Sequence, residues 1–231
     1  MLEVNAINLH YGAAQALRNV SLSAEPGKVT CVLGRNGVGK TSLLDALAGQ
    51  HPISKGAITL DGADISRLKP DERARRGVAY VPQGREIFPL LTVEENLKTG
   101  FAPLKRENRS IPDDVFSLFP VLNGMLGRRG GDLSGGQQQQ LAIGRAMVLE
   151  PKLLILDEPT EGIQPNIVHE IGDIILRLNR EAGVTMLLVE QKLPFARRVA
   201  SDFSVLEKGR VVASGPIEGL TDDVVKDHLT V

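Results

Sequence analysis

A short glycine-rich stretch, Gly34–Thr41, carries residue types suited to binding a phosphate group. It follows the apolar run Val29–Leu33 and precedes the helix-forming run Ser42–Leu47. A strand, a glycine-rich turn and a helix start form a phosphate-binding loop, because the backbone N–H groups and the helix start both attract phosphate oxygens. In such a loop Lys40 reaches the terminal phosphates and the Thr41 hydroxyl binds Mg²⁺. The alternative is a glycine-rich loop at a strand end that binds nothing.

Two adjacent carboxylates, Asp157 and Glu158, follow the apolar run Leu153–Leu156. A carboxylate that ends a buried strand beside a phosphate-binding loop can hold Mg²⁺ through its water shell, which is the predicted role of Asp157. Neighbouring strand residues face opposite sides, so Glu158 is expected to point elsewhere and to polarise a water for attack on the γ-phosphate. Taken alone, the pair could equally be an acidic strand end that faces solvent.

A second glycine-rich turn, Ser134–Gln137, opens another predicted helix. It offers an anion site on the same physical grounds as the first loop. One nucleotide does not need two such helix ends from one chain. A symmetric dimer resolves this, since a two-fold axis can place the Ser134 turn of each copy over the phosphate loop of the other.

The pattern around these residues predicts an α/β fold. The first thirty residues alternate apolar and polar side chains, as half-buried strands do. The charged segment 67–76 predicts a short helix with a solvated face, on which we place Arg73, Arg75 and Arg76. An amphipathic helix is predicted over residues 167–178. Further strands are predicted at residues 57–60, 77–81, 153–156 and 185–189, with a hairpin of residues 203–206 and 210–213 around Lys208-Gly209.

The pattern changes between these strands. Thr92 and Glu95 form a capping box, which predicts the start of a helix. The residues that follow are polar and irregular, and the next apolar segment is interrupted by proline. We therefore interpret residues 85–133 as a helical subdomain inserted into a core that is formed by residues 1–84 and 134–231.

Composition excludes several classes of protein. The chain has 231 residues, and its net charge of −1 gives no electrostatic argument for binding nucleic acid. The lone Cys31 lies in an apolar strand, excludes an intrachain disulfide and fits a reducing compartment. No apolar run approaches the roughly 20 residues that span a bilayer, and the first residues lack the pattern of a signal peptide. We expect a soluble, cytosolic protein.

Together the motifs resemble those of the ATP-binding subunits of ABC transporters, over essentially the whole chain. Gly34–Thr41 resembles the Walker A motif, Leu133–Gln137 the signature motif, and Leu153–Asp157 the Walker B strand. The resemblance implies an α/β fold: a P-loop NTPase core with a mixed sheet, an N-terminal antiparallel β-subdomain and an inserted α-helical subdomain. It also makes Glu158 the catalytic base.

The resemblance implies ATP and Mg²⁺ as cofactors. Gln83 lies at the Q-loop, where the family touches Mg²⁺ and the attacking water and senses the membrane subunit. Tyr11 lies where the family stacks an aromatic ring on adenine; the alternative is a strand-end tyrosine in the core. The implied metal ligands are Thr41, Gln83 and Asp157. The implied nucleotide-binding residues are Tyr11, Gly34, Arg35, Asn36, Gly37, Val38, Gly39, Lys40, Thr41, Ser42, Gln83, Asp157, Ser134, Gly135, Gly136 and Gln137.

One position departs from the family pattern. The run Thr185–Val189 is followed by Glu190 and Gln191, where most members carry a histidine that contacts the γ-phosphate. Gln191 can donate a hydrogen bond but cannot titrate; we assign it a catalytic role beside Glu158. With the run Thr160–Pro165, this glutamine resembles the branched-chain amino acid importer group. Residues 84–89 and the Glu-Gly-Ile-Gln-Pro run look most like the second ATP-binding subunit of urea importers.

The resemblance implies ATP hydrolysis that energises uptake of urea, or of branched-chain amino acids or a related amide, through transmembrane permease subunits. It places the chain on the cytoplasmic face of the bacterial inner membrane. The chain would form a homodimer, or a heterodimer with a paralogous ATP-binding subunit, and a periplasmic binding protein would act indirectly. One alternative is a soluble ABC-type ATPase of DNA repair or translation, although such proteins generally carry two cassettes or a long coiled coil. A P-loop GTPase or kinase would leave the Ser134 turn unexplained.

Overall fold

The computed structural model describes residues 1–229, in which ten strands form two sheets. The last two residues of the predicted core segment 134–231 lie outside the described residues. One sheet is antiparallel. Its members are β1 (Leu2–Tyr11), β2 (Ala14–Ala24), β4 (Lys55–Leu60) and β5 (Ala63–Asp64). These four strands, numbered along the chain, lie side by side in the order β2-β1-β4-β5. This is the antiparallel sheet predicted for the N-terminal part of the chain; its status as a separate subdomain stays a prediction.

The second sheet is mixed, as predicted. Its members are β3 (Val29–Leu33), β6 (Val78–Val81), β7 (Leu153–Asp157), β8 (Thr185–Glu190), β9 (Asp202–Glu207) and β10 (Arg210–Pro216). The spatial order is β10-β9-β3-β8-β7-β6, with β10 antiparallel and the other strands parallel. Parallel strands end at the same edge, so the residues that follow β3, β7 and β8 meet there. These are the phosphate loop, Glu158 and Gln191.

Nine α-helices surround the sheets within the described residues. They are α1 (Lys40–Ala48), α2 (Pro70–Arg75), α3 (Val93–Thr99), α4 (Asp113–Leu118), α5 (Pro120–Asn123), α6 (Gly135–Met147), α7 (Pro165–Arg180), α8 (Leu193–Val199) and α9 (Asp222–His228). The capping box that predicts α3 is present, since Thr92 accepts a hydrogen bond from the Glu95 N–H and Glu95 accepts one from the Thr92 N–H. Among residues 1–229, no helix is both long and apolar enough to cross a membrane.

The mixed sheet separates two apolar cores. Successive residues of β7 belong to different cores: Leu154 and Leu156 pack on the side of α6 and α7, while Leu153 and Ile155 pack on the side of α1 and the antiparallel sheet. This division follows from the alternation of strand side chains. Because both faces are covered, β7 is buried along its whole length. Cys31 is fully buried, as predicted.

Arg73 does not lie on a solvated face, and this part of the sequence prediction is wrong. Its side chain is 2% exposed, and Nη1 donates hydrogen bonds to the carbonyls of Ala46 (2.5 Å) and Leu47 (2.7 Å). These carbonyls belong to the last turn of α1, where helix geometry leaves them without backbone partners. Burial lowers the pKa of Arg73 to about 10. Arg75, which pairs with Asp71, is exposed as predicted.

The segment 85–133 contains α3, α4 and α5. α3 and α5 pack against α6, and α4 packs against α7. Residues of all three helices belong to the same apolar cluster as residues of α6 and α7. The boundary of an inserted subdomain at residues 85–133 therefore stays a prediction, because no separate core marks it.

Candidate nucleotide-binding site

A cleft of about 430 Å³ lies where β3 gives way to α1. Several predicted site residues line it: Tyr11, Asn36, Gly37, Val38, Gly39, Lys40, Thr41, Ser42, Gln83 and Glu158. The sequence prediction missed five further lining residues: Gln15, Ala16, Arg18, Lys208 and Gly209. Three other predicted residues contact this lining. The carbonyls of Gly34 and Arg35 accept hydrogen bonds from Lys40. Gln191 donates hydrogen bonds to Asn36 and Glu158.

The phosphate loop has the backbone that its glycines predict. Gly37 and Gly39 have φ angles of +78° and +108°, and Gly39 immediately precedes the first residue of α1, Lys40. Lys40 is only 6% exposed. Its Nζ donates hydrogen bonds to the carbonyls of Gly34 (2.7 Å) and Arg35 (3.1 Å). The ammonium group thus lies folded against its own loop.

Glu158 lies against this lysine, with 3.3 Å between Glu158 Oε1 and Lys40 Nζ. The strand ends at Asp157, and Glu158 leaves it with φ at +44° while its N–H donates to the Val189 carbonyl at 2.9 Å. A left-handed turn, rather than the alternation of a strand, therefore directs Glu158. Non-glycine residues in this conformation are strained, and such strain is concentrated at functional sites.

Gln191 joins the glutamate to the phosphate loop. Its Nε2 donates hydrogen bonds to Glu158 Oε1 (2.6 Å) and to Asn36 Oδ1 (2.7 Å). The structure therefore brings residues from three strand ends, β3, β7 and β8, into one cluster. Both N–H bonds of this amide are used.

Asp157 is 5% exposed and lies at the end of β7. Burial, followed by the nearby charge of Glu158, raises the pKa of Asp157 to about 6, although Lys40 and a hydrogen bond with Tyr80 act in the opposite direction. Burial and the charge of Asp157 in turn raise the pKa of Tyr80. A carboxylate in this position is poorly neutralised by the protein alone, so a cation beside it would be favourable.

The donor set fits Mg²⁺. Among residues 1–229, no group of three or more His, Cys, Asp or Glu side chains could hold a metal. The predicted ligands are instead a hydroxyl, an amide oxygen and a carboxylate, from Thr41, Gln83 and Asp157. Mg²⁺ prefers such oxygen donors and completes its shell with water and substrate phosphates.

Gln83 lines the cleft but is engaged by a residue that the sequence analysis did not single out. Its Nε2 donates to Glu161 Oε2 at 2.6 Å. The guanidinium of Arg85 reaches the carbonyl of Glu161 (3.3 Å) and Oε1 of Gln138 on α6 (3.3 Å). Three loops are thereby connected within one chain: the one after β6, the one after β7 and the turn that opens α6.

The loop after β6 is strained and is held by α6. Gly84, Arg85 and Glu86 all have positive φ angles, of 76°, 72° and 44°. Arg145 on α6 donates to the carbonyls of Glu86 (2.8 Å) and Arg85 (3.2 Å), and its guanidinium lies 5.6 Å from the centre of the Phe88 ring. Movement of this loop would break these contacts with α6.

Tyr11 is 43% exposed at the cleft, which excludes the alternative that it belongs to the core. Its hydroxyl donates to Asp45 Oδ2 at 3.0 Å, and its ring meets the His51 ring edge-on with 4.4 Å between centroids. Partial burial is the main cause that raises the pKa of Tyr11. One face of a fixed ring at the cleft suits stacking on a base.

The turn Ser134–Gln137 does not line the cleft of its own chain. It has the geometry of a capping box: Ser134 Oγ accepts from the Gln137 N–H (3.3 Å), and Gln137 Oε1 accepts from the Ser134 N–H (3.0 Å). Ser134 is exposed, whereas Gly136 is buried against Ile167. The turn is well formed and lies outside the nucleotide cleft of its own chain.

Two features of the site were missed by the sequence analysis. The hairpin turn at Lys208-Gly209 was predicted, but not that the Gly209 N–H donates to the Val38 carbonyl of the phosphate loop at 2.8 Å. A Cβ at Gly209 would lie 2.2 Å from the Ala16 carbonyl oxygen, so only glycine fits. Glu190 was named but given no role, yet it is 2% exposed. The sequence contained one indication of this role, because an acidic residue directly follows an apolar run there.

Comparison with known proteins identifies the family. Residues 17–161 match the family model for ABC transporters. The chain is 43% identical to the high-affinity branched-chain amino acid transport ATP-binding protein BraG of Pseudomonas aeruginosa, over 92% of this chain and 91% of that protein. It is 35% identical to the probable branched-chain amino acid transport ATP-binding protein LivF of Archaeoglobus fulgidus, over 96% of this chain and 94% of that protein.

Solved structures show the same fold. A nucleotide-free ATP-binding cassette from an ABC transporter matches with a TM-score of 0.85 and 27% identity, over 99% of this chain and 94% of that one. An ATP-binding cassette of an ABC transporter in its ADP conformation matches with a TM-score of 0.83 and 29% identity, over 98% of this chain and 97% of that one. The sequence, the cleft at the strand ends and these likenesses lead to one conclusion: the chain belongs to the ABC transporter family as one of its ATP-binding cassettes.

Proposed function

We propose that this chain is the ATP-hydrolysing subunit of an importer in the branched-chain amino acid group. The observation that carries the proposal is the cluster at the strand ends, in which Glu158 lies 3.3 Å from the Lys40 ammonium and 2.6 Å from the Gln191 amide. A phosphate-binding cation, a carboxylate that can act as a base and a hydrogen-bond donor are the groups that hydrolysis of a γ-phosphate requires.

ATP binds with its phosphates in the turn of Gly34–Thr41 and its base beside Tyr11. Lys40 then exchanges the carbonyls of Gly34 and Arg35 for phosphate oxygens, which are stronger acceptors. Thr41, Gln83 and Asp157 would hold Mg²⁺, which would supply positive charge beside the phosphates. The poorly neutralised carboxylate of Asp157 supports this assignment.

Once Lys40 has turned to the phosphates, the Glu158 carboxylate is free to accept a proton from the attacking water. Gln191 positions that carboxylate, because its amide is anchored to Asn36 in the phosphate loop at 2.7 Å. To donate to an oxygen of the γ-phosphate, the amide would have to give up one of its two hydrogen bonds, to Asn36 or to Glu158. Gln191 keeps its hydrogen-bonding capacity at every pH, unlike the histidine that most of the family has there.

The working site contains two chains in this proposal. The turn Ser134–Gln137 is well formed but lies outside its own cleft, which supports its serving the nucleotide of a second subunit. The second subunit is either another copy of this chain or a paralogous ATP-binding subunit. ATP then closes the pair, and hydrolysis reopens it.

A groove of about 360 Å³ beside the strained loop supports a membrane partner. It is lined by residues of β6, α3 and α6, among them Tyr80, Thr99 and Arg145. Phe88 and Leu90, in the loop next to it, are 48% and 80% exposed, and large exposed apolar side chains mark interaction surfaces. We propose that permease subunits dock here and that the chain lies on the cytoplasmic face of the inner membrane. A periplasmic binding protein would deliver the solute without touching this chain.

Two solutes are candidates. The names of the relatives BraG and LivF support branched-chain amino acids. The runs Gly84–Pro89 and Glu161–Pro165, which look most like those of urea importers, support urea. Uptake of labelled leucine and of labelled urea, by cells with and without the intact chain, decides between them. Cells without the intact chain should lose energy-dependent uptake of the transported solute and keep their uptake of the other.

Replacement of Glu158 by glutamine tests the hydrolytic role. Glu158→Gln keeps the size of the side chain and one acceptor oxygen but removes the base, so ATP binding should persist while turnover falls by about 10³-fold or more. Retained hydrolysis would reject Glu158 as the base. Co-purification of the chain with a multi-helix membrane protein distinguishes the importer from a soluble ATPase, since the soluble ATPase would purify without such a partner.

A further inference from the structure

Glu190 is a buried carboxylate to which the mechanism above gives no role. It ends β8, is 2% exposed and directly precedes Gln191. No ion pair within residues 1–229 involves it. Burial of an unpaired carboxylate costs several kcal/mol unless hydrogen bonds compensate for the lost hydration. The compensation comes from two different loops.

Each carboxylate oxygen of Glu190 is bound by one loop. Oε1 accepts from the hydroxyl of Thr160 (2.7 Å) and from its backbone N–H (3.3 Å). Oε2 accepts from the backbone N–H groups of Gln191 (3.0 Å) and Lys192 (3.2 Å). Lys192 Nζ closes the arrangement by donating to the Thr160 carbonyl at 2.9 Å. The carboxylate therefore joins the loop that follows Glu158 to the loop that begins with Gln191.

The joined loops carry the two side chains that must meet. Thr160 lies two residues after Glu158, and Gln191 is the first residue of the other loop. The side chains of Glu158 and Gln191 are hydrogen-bonded, with 2.6 Å between Gln191 Nε2 and Glu158 Oε1. A carboxylate suits this place because it can accept from four donors, whereas a glutamine would turn an NH₂ group towards two of them.

We propose that Glu190 is a positioning residue for ATP hydrolysis, which fixes Gln191 against Glu158 by binding the backbones of both loops. This inference rests on the proposed roles of Glu158 and Gln191. It predicts a specific defect, because the phosphate loop, Lys40 and Tyr11 make none of these hydrogen bonds. ATP should still bind when Glu190 is changed, but hydrolysis should slow.

The test measures kcat and KM for ATP with the purified full chain. Glu190→Gln should lower kcat about tenfold or more and leave KM within about threefold, whereas Glu218→Gln, which removes an exposed carboxylate, should change neither. Gln191→Ala should also lower kcat. If Glu190 acts through Gln191, the double variant should be within about twofold of the slower single variant. Three results would overturn the proposal: a double variant in which the two losses of kcat multiply, a Gln191→Ala variant with full activity, or a Glu190→Gln variant with wild-type kcat. The Glu158→Gln result would still decide separately whether the chain hydrolyses ATP as proposed.

A second pair of variants keeps the test decisive if Glu190→Gln does not fold. Thr160→Ser retains the hydroxyl that binds Glu190 Oε1, and Thr160→Val removes it at nearly constant volume. Thr160→Ser should keep kcat within about twofold, and Thr160→Val should lower it by about fivefold or more without a matching rise in KM. Equal kcat values in the two variants would contradict a role for this bond in positioning.

Discussion

Gln83 Nε2 donates a hydrogen bond to Glu161 Oε2 at 2.6 Å, so the side chain proposed to meet the metal is engaged by the neighbouring loop. We expect this hydrogen bond to hold the Gln83 amide away from the position in which its oxygen serves bound nucleotide. Glu161→Ala should therefore strengthen binding of Mg-ATP, by up to about fivefold for one solvent-exposed hydrogen bond. Calorimetric titration with Mg-ATP measures the change.

The control for this prediction is Glu161→Gln. Its amide oxygen can still accept from Gln83, so the gain in affinity should be smaller. If Glu161→Ala left the affinity unchanged or weakened it, the contact between Glu161 and Gln83 would not restrain the nucleotide site.

Gln191 has no proton to lose near neutral pH, and so this position should add no pH dependence to hydrolysis. Gln191→His introduces an imidazole with an ordinary pKa near 6.5, which should create a new dependence of kcat on pH around that value. Gln191→Glu would place a second carboxylate where the amide now lies 2.6 Å from Glu158, so it should be less active than Gln191→His. Rates measured between pH 5.5 and 9 test both expectations, and a Gln191→Glu variant as active as the wild type would contradict them.

Asp157 should destabilise the metal-free chain at neutral pH. Its folded pKa of about 6 lies above the value of 3.8 for a free aspartate, so the folded state holds its proton more tightly than the unfolded state does. Tighter binding of this proton stabilises the folded state fully below about pH 4, and the stabilisation is lost as the pH rises through about 6. Asp157→Asn removes this cost, and should raise the free energy of unfolding by about 2 kcal/mol at pH 8, since solvent screens part of the effect.

Urea unfolding in the presence of EDTA measures this effect. The gain from Asp157→Asn should shrink between pH 6 and pH 4. Asp64 provides a control of opposite sign, because hydrogen bonds from Ser66 lower the pKa of this exposed carboxyl. Asp64→Asn should give no gain at pH 8. A pH-independent gain at Asp157 would mean that packing, rather than charge, causes it.

Arg73 and Arg75 lie on the same short helix but should differ greatly in importance. Arg73→Met keeps the apolar stem but leaves the carbonyls of Ala46 and Leu47 without this donor, and should cost about 3 kcal/mol of unfolding free energy. Arg75→Met removes only an exposed ion pair with Asp71 and should cost at most about 0.5 kcal/mol. Chemical denaturation of both variants provides the comparison. Similar losses would show that the hydrogen bonds of Arg73 to α1 carry little stability.

The sequence by itself determined the local chemistry of this protein. Gly37 and Gly39 predict a phosphate loop because glycine lets backbone N–H groups turn towards phosphate oxygens, and Asp157 with Glu158 predicts an acidic strand end because an apolar strand precedes them. Backbone geometry and hydrophobic patterning act over a few residues, so they can be read directly from the chain. The family resemblance then supplied the fold class, which the structure confirms.

Only the tertiary structure decided how these pieces meet. Arg73 looks like any surface arginine until α1 ends beside it with free carbonyls, and Glu190 looks like a strand-end charge until Thr160 and Gln191 converge on it. Gly209 gains its importance because Val38 and Ala16, both distant in sequence, close around it. Such contacts depend on which strand ends lie side by side in the sheet, and local pattern carries no information about that order.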